Sequence, residues 1–533
     1  MNAIFNGFNL SFTKEIIKKT VDKFGIKNAH VIGSSVGQFS EEEANRVNAK
    51  IYNIPTKNVY DGLFSWVDFT TIPPLDAEIL AEYSFLECEI IQMMSRDIRM
   101  FNVFRSDNTK DEKLILNNSA NPYYYTLIEE PTYLDRKQVY MNQLRFWLWY
   151  IEKYNIDFFF IASPPHNNHE YIIYNILKQK RKFSFFPMLN IVPGSWFISD
   201  DIRKRLISEE DIEEMRQKYS DSSSITFGSI MQNEINRLKG MQKNHIIPDE
   251  YHLEFNKIPD EVRQEEKLKS KEKAMLIAHN DGRGVLKYLR KFSRFGNLDY
   301  LYFYLKFKSA VGYIQKLRRY YQQNSFKPDF KEKYFYFPFH MQPELTSAPL
   351  GGAYADQRLI VELITAYLPD DVYLYIKEHP AQKIRWRSTE YYYFLKRNKK
   401  VRFVNMSVKQ NELIKNCLAV VTITGTSAIE GLFMDKPCIL FGDYCFAYAS
   451  GILKINNRSE CKEAIEKILN GYKPDYNELM LYLKALEDKP VVASPQSYGI
   501  LTTKFTKEEN ATVMAEAFYE YYQSILKNET FVR

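Results

Sequence analysis

Hydrophobic and polar positions along the first 200 residues fall into two alternating patterns. Residues 12–24 have apolar positions at helical spacing, and 29–32 form a short apolar run ending in Gly33-Ser34-Ser35. Helical spacing returns over 77–100 and 136–154, and the second stretch runs straight into the apolar segment 156–162. A polar loop, Ser163-Pro164-Pro165-His166-Asn167-Asn168-His169, is followed by a predicted helix over 170–178 and a strand over 183–191 that stops at Pro193-Gly194. Strand, polar loop, helix, strand is the grammar of a parallel, doubly wound sheet.

From 200 to 331 the pattern changes to charged helical stretches, over 209–219, 230–239 and 261–278, with few strand signals. The first grammar then resumes. Strands are predicted over 334–339, 372–377, 401–404, 419–423 and 437–441, with helices over 357–367, 409–417 and 428–434 and a final helix over 507–526. The predicted fold class is α/β and GT-B-like: two Rossmann-like parallel-sheet domains, a helical middle segment and a closing C-terminal helix. The expected boundaries are 1–199, 200–330, 331–505 and 506–533.

Composition narrows the function more than the fold. The 533 residues are 45% hydrophobic and 26% charged, which suits a folded protein and excludes global disorder. A net charge of +6 is too mild to imply nucleic acid, and no RRM, KH or zinc-finger spacing occurs. The five cysteines form no CxxC pair, so a reducing, cytoplasmic compartment is the simplest reading. The N-terminus lacks a long apolar h-region, and no apolar run approaches membrane-spanning length. The stretch 282–320, however, interleaves Lys and Arg with Tyr, Phe and Leu against one acid, Asp299. It can rest peripherally on anionic lipid, and a solvated face would look the same in sequence.

Ligands of open parallel sheets bind beyond the carboxyl ends of the strands, so polar residues just after each strand are the candidates. In Val421-Thr422-Ile423-Thr424-Gly425-Thr426-Ser427-Ala428-Ile429-Glu430, a strand ends in hydroxyls and glycine before a helix. Free backbone N–H groups there suit a phosphate, with Glu430 available to a ribose. The alternative is an ordinary cap by Thr426 or Ser427, with Glu430 completing a capping box. After the next candidate strand come Lys377-Glu378-His379-Pro380, with Lys377 and His379 as phosphate contacts and Pro380 fixing the turn. After a third come His340, Gln342 and Glu344, which offer a base or nucleophile and an acid. Asp356 and Gln357 start a helix, where capping competes with catalysis. His166 follows a strand of the first half and can face the cleft from the opposite domain, with a structural turn as the alternative. No metal site and no cofactor are expected: P-loop, HExxH and GxSxG motifs are absent, and Asp370-Asp371 precedes a strand rather than following one.

The segments YFPFHMQPE, DQRLI, LYIKEHP and VVTITGTSAIEGLFMDKPCILFG, in this order, resemble the bacterial capsule polysaccharide biosynthesis family, which includes capsule Kdo transferases. The likeness is specific over about 334–444 and weaker over 158–195. It implies a GT-B fold with a nucleotide-activated sugar donor held by the C-terminal domain; with no flanked DxD in sight, the expected function is a metal-independent glycosyltransferase that moves a sugar (from a CMP-linked donor among the options) onto a polysaccharide or lipid-linked glycan acceptor. On that likeness His379 meets the donor phosphate, Thr424 to Ser427 surround the nucleotide and Glu430 lies near its ribose. Where the capsule Kdo transferases are similar in carrying an Asp-Gln pair, this chain reads His340-Met341-Gln342-Pro343-Glu344. Either Glu344 takes the acidic role or the mechanism differs, so donor sugar and stereochemistry stay open. Two other functions keep the same nucleotide site: transfer of a non-sugar substituent to the glycan, and a non-catalytic scaffold of capsule assembly.

Overall fold

The computed structural model describes residues 1–8, 13–33, 38–55, 66–87, 133–192, 195–242, 315–342, 345–379, 387–493 and 505–531, and the single residues 59, 64, 312, 382 and 495. Two sheets organise them. The first has seven strands: β1 (Asn2–Asn6), β2 (Asn28–Gly33), β3 (Lys50–Pro55), β4 (Phe158–Ile161), β5 (Phe183–Leu189), β6 (Ser195–Ser199) and β13 (Val491–Val492). Their order is β13-β6-β5-β4-β1-β2-β3. The pairs among β1 to β5 are parallel, whereas β6 and β13 join antiparallel. The second sheet has β7 (Lys333–Pro338), β8 (Val372–Lys377), β9 (Val401–Phe403), β10 (Ala419–Thr422), β11 (Cys438–Leu440) and β12 (Ile452–Lys454). Its order is β12-β11-β10-β7-β8-β9, all parallel.

The Rossmann-like expectation therefore holds for both halves. Strands buried on both faces read as continuous apolar runs. In β4, Phe158 and Phe160 enter one core cluster and Phe159 and Ile161 another. In β7, Phe335 and Phe337 face one cluster, and Tyr334 and Tyr336 the opposite one. Strands β1, β3, β6, β12 and β13 were not expected; they are short or carry Asn, Lys and Ser among their apolar positions, which blurs the period. Of the helix expected over 77–100, the structure has Ala77–Glu82 and a further turn to residue 87, and the remainder lies outside the described residues.

Helices tie the two sheets together. Glu209–Lys218 packs on Tyr476–Asp488, where Arg216 pairs with Glu478 at 2.7 Å and Lys489 with Glu214 at 2.6 Å. Helix Lys507–Phe531 returns to the first domain and packs on Thr13–Phe24. Ala511, Met514 and Phe518 recur at helical spacing and are fully buried there. The flanking pairs Lys19–Glu508 and Lys23–Glu516 lie at the solvent boundary, where ion pairs contribute little, so burial holds this helix.

Candidate functional site

Chain order in the second sheet runs from β7 outward to β8 and β9, then returns to β10 on the other side of β7. The gap between the carboxyl ends of β7 and β10 is thus the topological switch point, where such sheets take ligands. The turns after β7, β8 and β10 meet there.

His340 spans the gap. Its Nε2 lies 3.2 Å from the Ile423 backbone N–H and 2.8 Å from Thr422 Oγ1. A backbone N–H only donates, so Nε2 is the lone-pair nitrogen and the ring proton sits on Nδ1. The Thr422 hydroxyl in turn accepts from the Gly425 N–H at 3.1 Å. Gln357 clamps the His340 backbone, accepting from its N–H at 2.9 Å and donating to its carbonyl at 3.1 Å. Burial, then the charges of His379 and Arg387, push the His340 pKa down to about 3. At neutral pH the ring is uncharged and its lone pair is already engaged.

The β8 turn is built around a buried ion pair. Glu378 is paired with Arg387, and the Tyr392 hydroxyl donates to its other oxygen. Arg387 is 1% exposed; it donates to the His340 carbonyl at 2.5 Å and lies 4.5 Å over the Phe339 ring. Tyr321 Oη accepts from the Glu378 N–H at 3.0 Å. Lys377 donates to the Val408 carbonyl at 2.7 Å, and burial lowers its pKa. His379 is half-buried and its N–H donates to Glu378 Oε1 at 2.6 Å. Pro380 lies outside the described residues.

At the β10 turn, Thr424 is buried and donates to the Thr346 carbonyl at 2.8 Å. A Cβ on Gly425 would sit 2.8 Å from Thr422 Oγ1 and 3.3 Å from both His340 Cε1 and Ser427 Oγ, so glycine keeps a niche open. Ordinary capping is not what this turn does: Thr426 is exposed and makes no side-chain cap to helix Ser427–Leu432. Ser427 Oγ is buried without a hydrogen-bond partner among the described residues. Glu430 is 8% exposed, accepts from Gln410 Nε2 at 2.9 Å, and has its pKa raised by burial.

The remaining candidates divide. Gln342 donates its side-chain N–H to the Ala355 carbonyl and exchanges hydrogen bonds with Gln382 at 2.9 Å. Asp356 caps helix Gln357–Tyr367 and chelates Arg358, the bland alternative rather than an isolated carboxylate. Glu344 lies outside the described residues.

His166 sits at the other sheet's switch point, between β1 and β4. Gly7, directly after β1, has φ +85°, and a Cβ on it would stand 3.1 Å from Ala162 Cβ, so only glycine lets the two strand ends approach. His166 Nδ1 is 2.7 Å from the Pro164 carbonyl, which places the proton on Nδ1 and the lone pair on Nε2. The loop is anchored by Glu170, which is 2% exposed. Its carboxylate accepts from the His166 and Asn167 N–H groups, each at 3.0 Å, and from the Asn6 side chain. Burial alone would raise the Glu170 pKa, but His166, His169 and the two N–H donors outweigh it and hold it below the usual carboxylate range.

Sequence reasoning missed Arg387, Tyr321 and Tyr392 in one domain and Asn6 and Glu170 in the other; Gln357 was singled out as a helix start, not as the clamp on His340. Glu170 carried a readable signal, the Asn167-x-x-Glu170 spacing of a capping box. Arg387 carried none, standing nine positions beyond its partner in an unpatterned stretch.

Residues 246–467 match the family described as capsule polysaccharide biosynthesis protein. The stretch contains all six strands of the second sheet and the three turns that meet at its switch point. The chain is also similar to Protein FixF of Sinorhizobium fredii, 30% identical over 141 residues, which are 26% of this chain and 33% of that protein. The match thus spans about a third of that relative's length. Among solved structures, it is similar to the UDP-GlcNAc 2-epimerase of Methanocaldococcus jannaschii, at 14% identity over 90% of this chain and 95% of that one with a TM-score of 0.25. It is similar too to the KpsC beta Kdo 2,7 transferase of Thermosulfurimonas dismutans, at 9% identity over 69% and 87% with a TM-score of 0.28. At such scores the fold assignment rests on the two sheets themselves.

Proposed function

We propose that this protein is a metal-independent glycosyltransferase of the GT-B type, moving a sugar from a nucleotide-activated donor onto a capsular or other surface polysaccharide. The observation that carries this reading is the turn after β10: uncapped by its own side chains, kept open by Gly425, with a buried Ser427 hydroxyl lacking a partner among the described residues, inside the capsule-family stretch. In this reading the nucleotide lies along Thr424 to Ser427 with Glu430 on its ribose side, and His379 contacts the phosphate. His340, neutral and engaged, holds the turns after β7 and β10 in register, and Arg387 and Glu378 hold the turn after β8.

The acceptor oxygen forms the new bond to the anomeric carbon as the bond from that carbon to the donor phosphate oxygen breaks, and the nucleotide leaves with the electron pair. The hydroxyl proton passes to a base, for which Glu344 and the Nε2 of His166 are the assigned groups. A lipid-linked acceptor would bring the protein to the inner face of the cytoplasmic membrane, with 282–320 as the contact. Among the described residues no helix is long and apolar enough to cross a membrane.

Mass spectrometry of a glycan acceptor after incubation with cytidine, uridine and guanosine sugar nucleotides tests the reading. The expected product is the acceptor plus one sugar, with free nucleotide released, and Glu344→Gln should abolish it. A non-sugar mass increment would make the protein a substituent transferase. Nucleotide binding with no turnover of any donor would make it a scaffold.

A further inference from the structure

A groove of about 780 Å³ lies apart from the donor site. It runs along the outer edge of the second sheet beside β9. Residues 329–332 lead into β7 and 398–399 into β9, so the groove lies toward the amino ends of the strands, away from the turns that build the donor site. Five cations line it: Lys327, Lys331, Lys396, Lys399 and Arg402. Only two carboxylates face them. Glu332 is engaged by the Tyr375 hydroxyl at 2.5 Å, and Asp329 sits 3.6 Å from Lys331. The imbalance is large for a chain whose whole net charge is +6. Arg402 is held in place, its guanidinium 4.1 Å over the Tyr373 ring and Nη1 donating to the Lys399 carbonyl at 2.6 Å. The lysines at 327, 331, 396 and 399 are exposed.

We propose that this groove binds a linear acidic glycan, holding carboxylate- or phosphate-bearing sugar units of the polysaccharide while its end is worked on at the switch point. The proposal rests on the polysaccharide reading above and adds a second contact to it. Shape and chemistry favour a glycan over other polyanions. A planar bilayer cannot enter a concave groove. Single-stranded nucleic acid needs aromatic platforms for its bases, yet the two rings here are spent elsewhere: Phe403 is 3% exposed within the core, and Phe326 packs edge-on against Tyr375 at 5.2 Å. Spaced cations over a semi-apolar floor suit an extended chain with one charge per one or two sugars.

Calorimetry on the full chain tests this with a galacturonate hexamer, neutral maltohexaose, a single-stranded RNA and vesicles of anionic lipid as probes. The galacturonate oligomer should bind, weaken with added salt, and bind at least about tenfold more weakly to the Lys327→Ser, Lys399→Ser, Arg402→Ser triple variant. Maltohexaose should not bind. These side chains lie at the edge of the fold, and unchanged thermal unfolding and nucleotide affinity in the variant would show that only the groove changed. Equal galacturonate binding by variant and wild type, or none by wild type, would overturn the proposal. So would RNA or vesicle binding that the triple change abolishes while galacturonate binding persists. Loss of sugar transfer with glycan binding intact would instead count against the proposed function alone.

Discussion

At the carboxyl end of the first sheet, a buried glutamate is held by two histidines and backbone donors; at the corresponding end of the second, a buried glutamate is held by an arginine. The Glu170 pKa is held low first by His166 and His169 and then by two backbone N–H groups, and the Asn6 side chain adds a hydrogen bond. Glu378 is matched by Arg387, whose other hydrogen bond reaches the His340 carbonyl one strand away. The first arrangement fixes a single loop. The second fastens three turns, because Arg387 joins the β7 and β8 turns and His340 carries the link to β10. In the proposed reading, the second kind of support keeps the turns of the donor site spaced when no ligand is bound.

The difference has measurable consequences. Arg387→Met should have the largest effect, about 3–5 kcal/mol of lost stability in denaturant titration, because it strands a buried carboxylate. Adding Glu378→Gln should recover part of that loss. Glu170→Ala should cost less, about 1–3 kcal/mol, since what it strands are N–H donors and two imidazoles rather than a buried carboxylate. Equal losses at the two sites would break the comparison.

Acid should separate the two sites next. The folded pKa of His340 is about 3, below the ordinary value near 6.5. The unfolded chain therefore binds the extra proton first, and the neutral form's contribution, complete above about pH 6.5, is lost as pH falls toward 3. The limiting slope is about 1.4 kcal/mol per pH unit. Glu170, with its pKa lowered, contributes stability above about pH 4.3 that is lost only below it. Unfolding measured between pH 6.5 and 4.5 should thus flatten in His340→Gln and not in Glu170→Gln. The buried His30, lowered by burial to about 4, titrates in the same direction and contributes to the residual slope.

The comparison also explains what the sequence could disclose. The sheet of the second half was legible almost strand by strand, since β7, β8 and β10 are apolar on both faces and end in polar turns. Candidate residues contiguous with those strand ends, such as His340, Glu378 and Thr424, were found for the same reason. Their partners Arg387, Tyr321 and Tyr392 were not, because they reach the site from other elements and nothing in local periodicity marks a long-range hydrogen bond. Asp356 shows the converse, a residue singled out by position whose geometry is that of a helix cap.

The smallest effect should come from metal removal. If phosphate charge is met by side chains and backbone amides, transfer activity should survive EDTA, and a loss restored by magnesium or manganese would change the reading of the second switch point.

The most direct measurement is calorimetric titration of wild type, His379→Ala and Glu170→Gln with a panel of cytidine, uridine and guanosine nucleotides. One nucleotide class should bind wild type and Glu170→Gln alike, and His379→Ala, still folded, should bind it about tenfold or more weakly, as expected for a lost hydrogen bond to a charged group. No nucleotide binding at all, or an affinity untouched by His379→Ala but lost in Glu170→Gln, would contradict the placement of the donor at the second sheet.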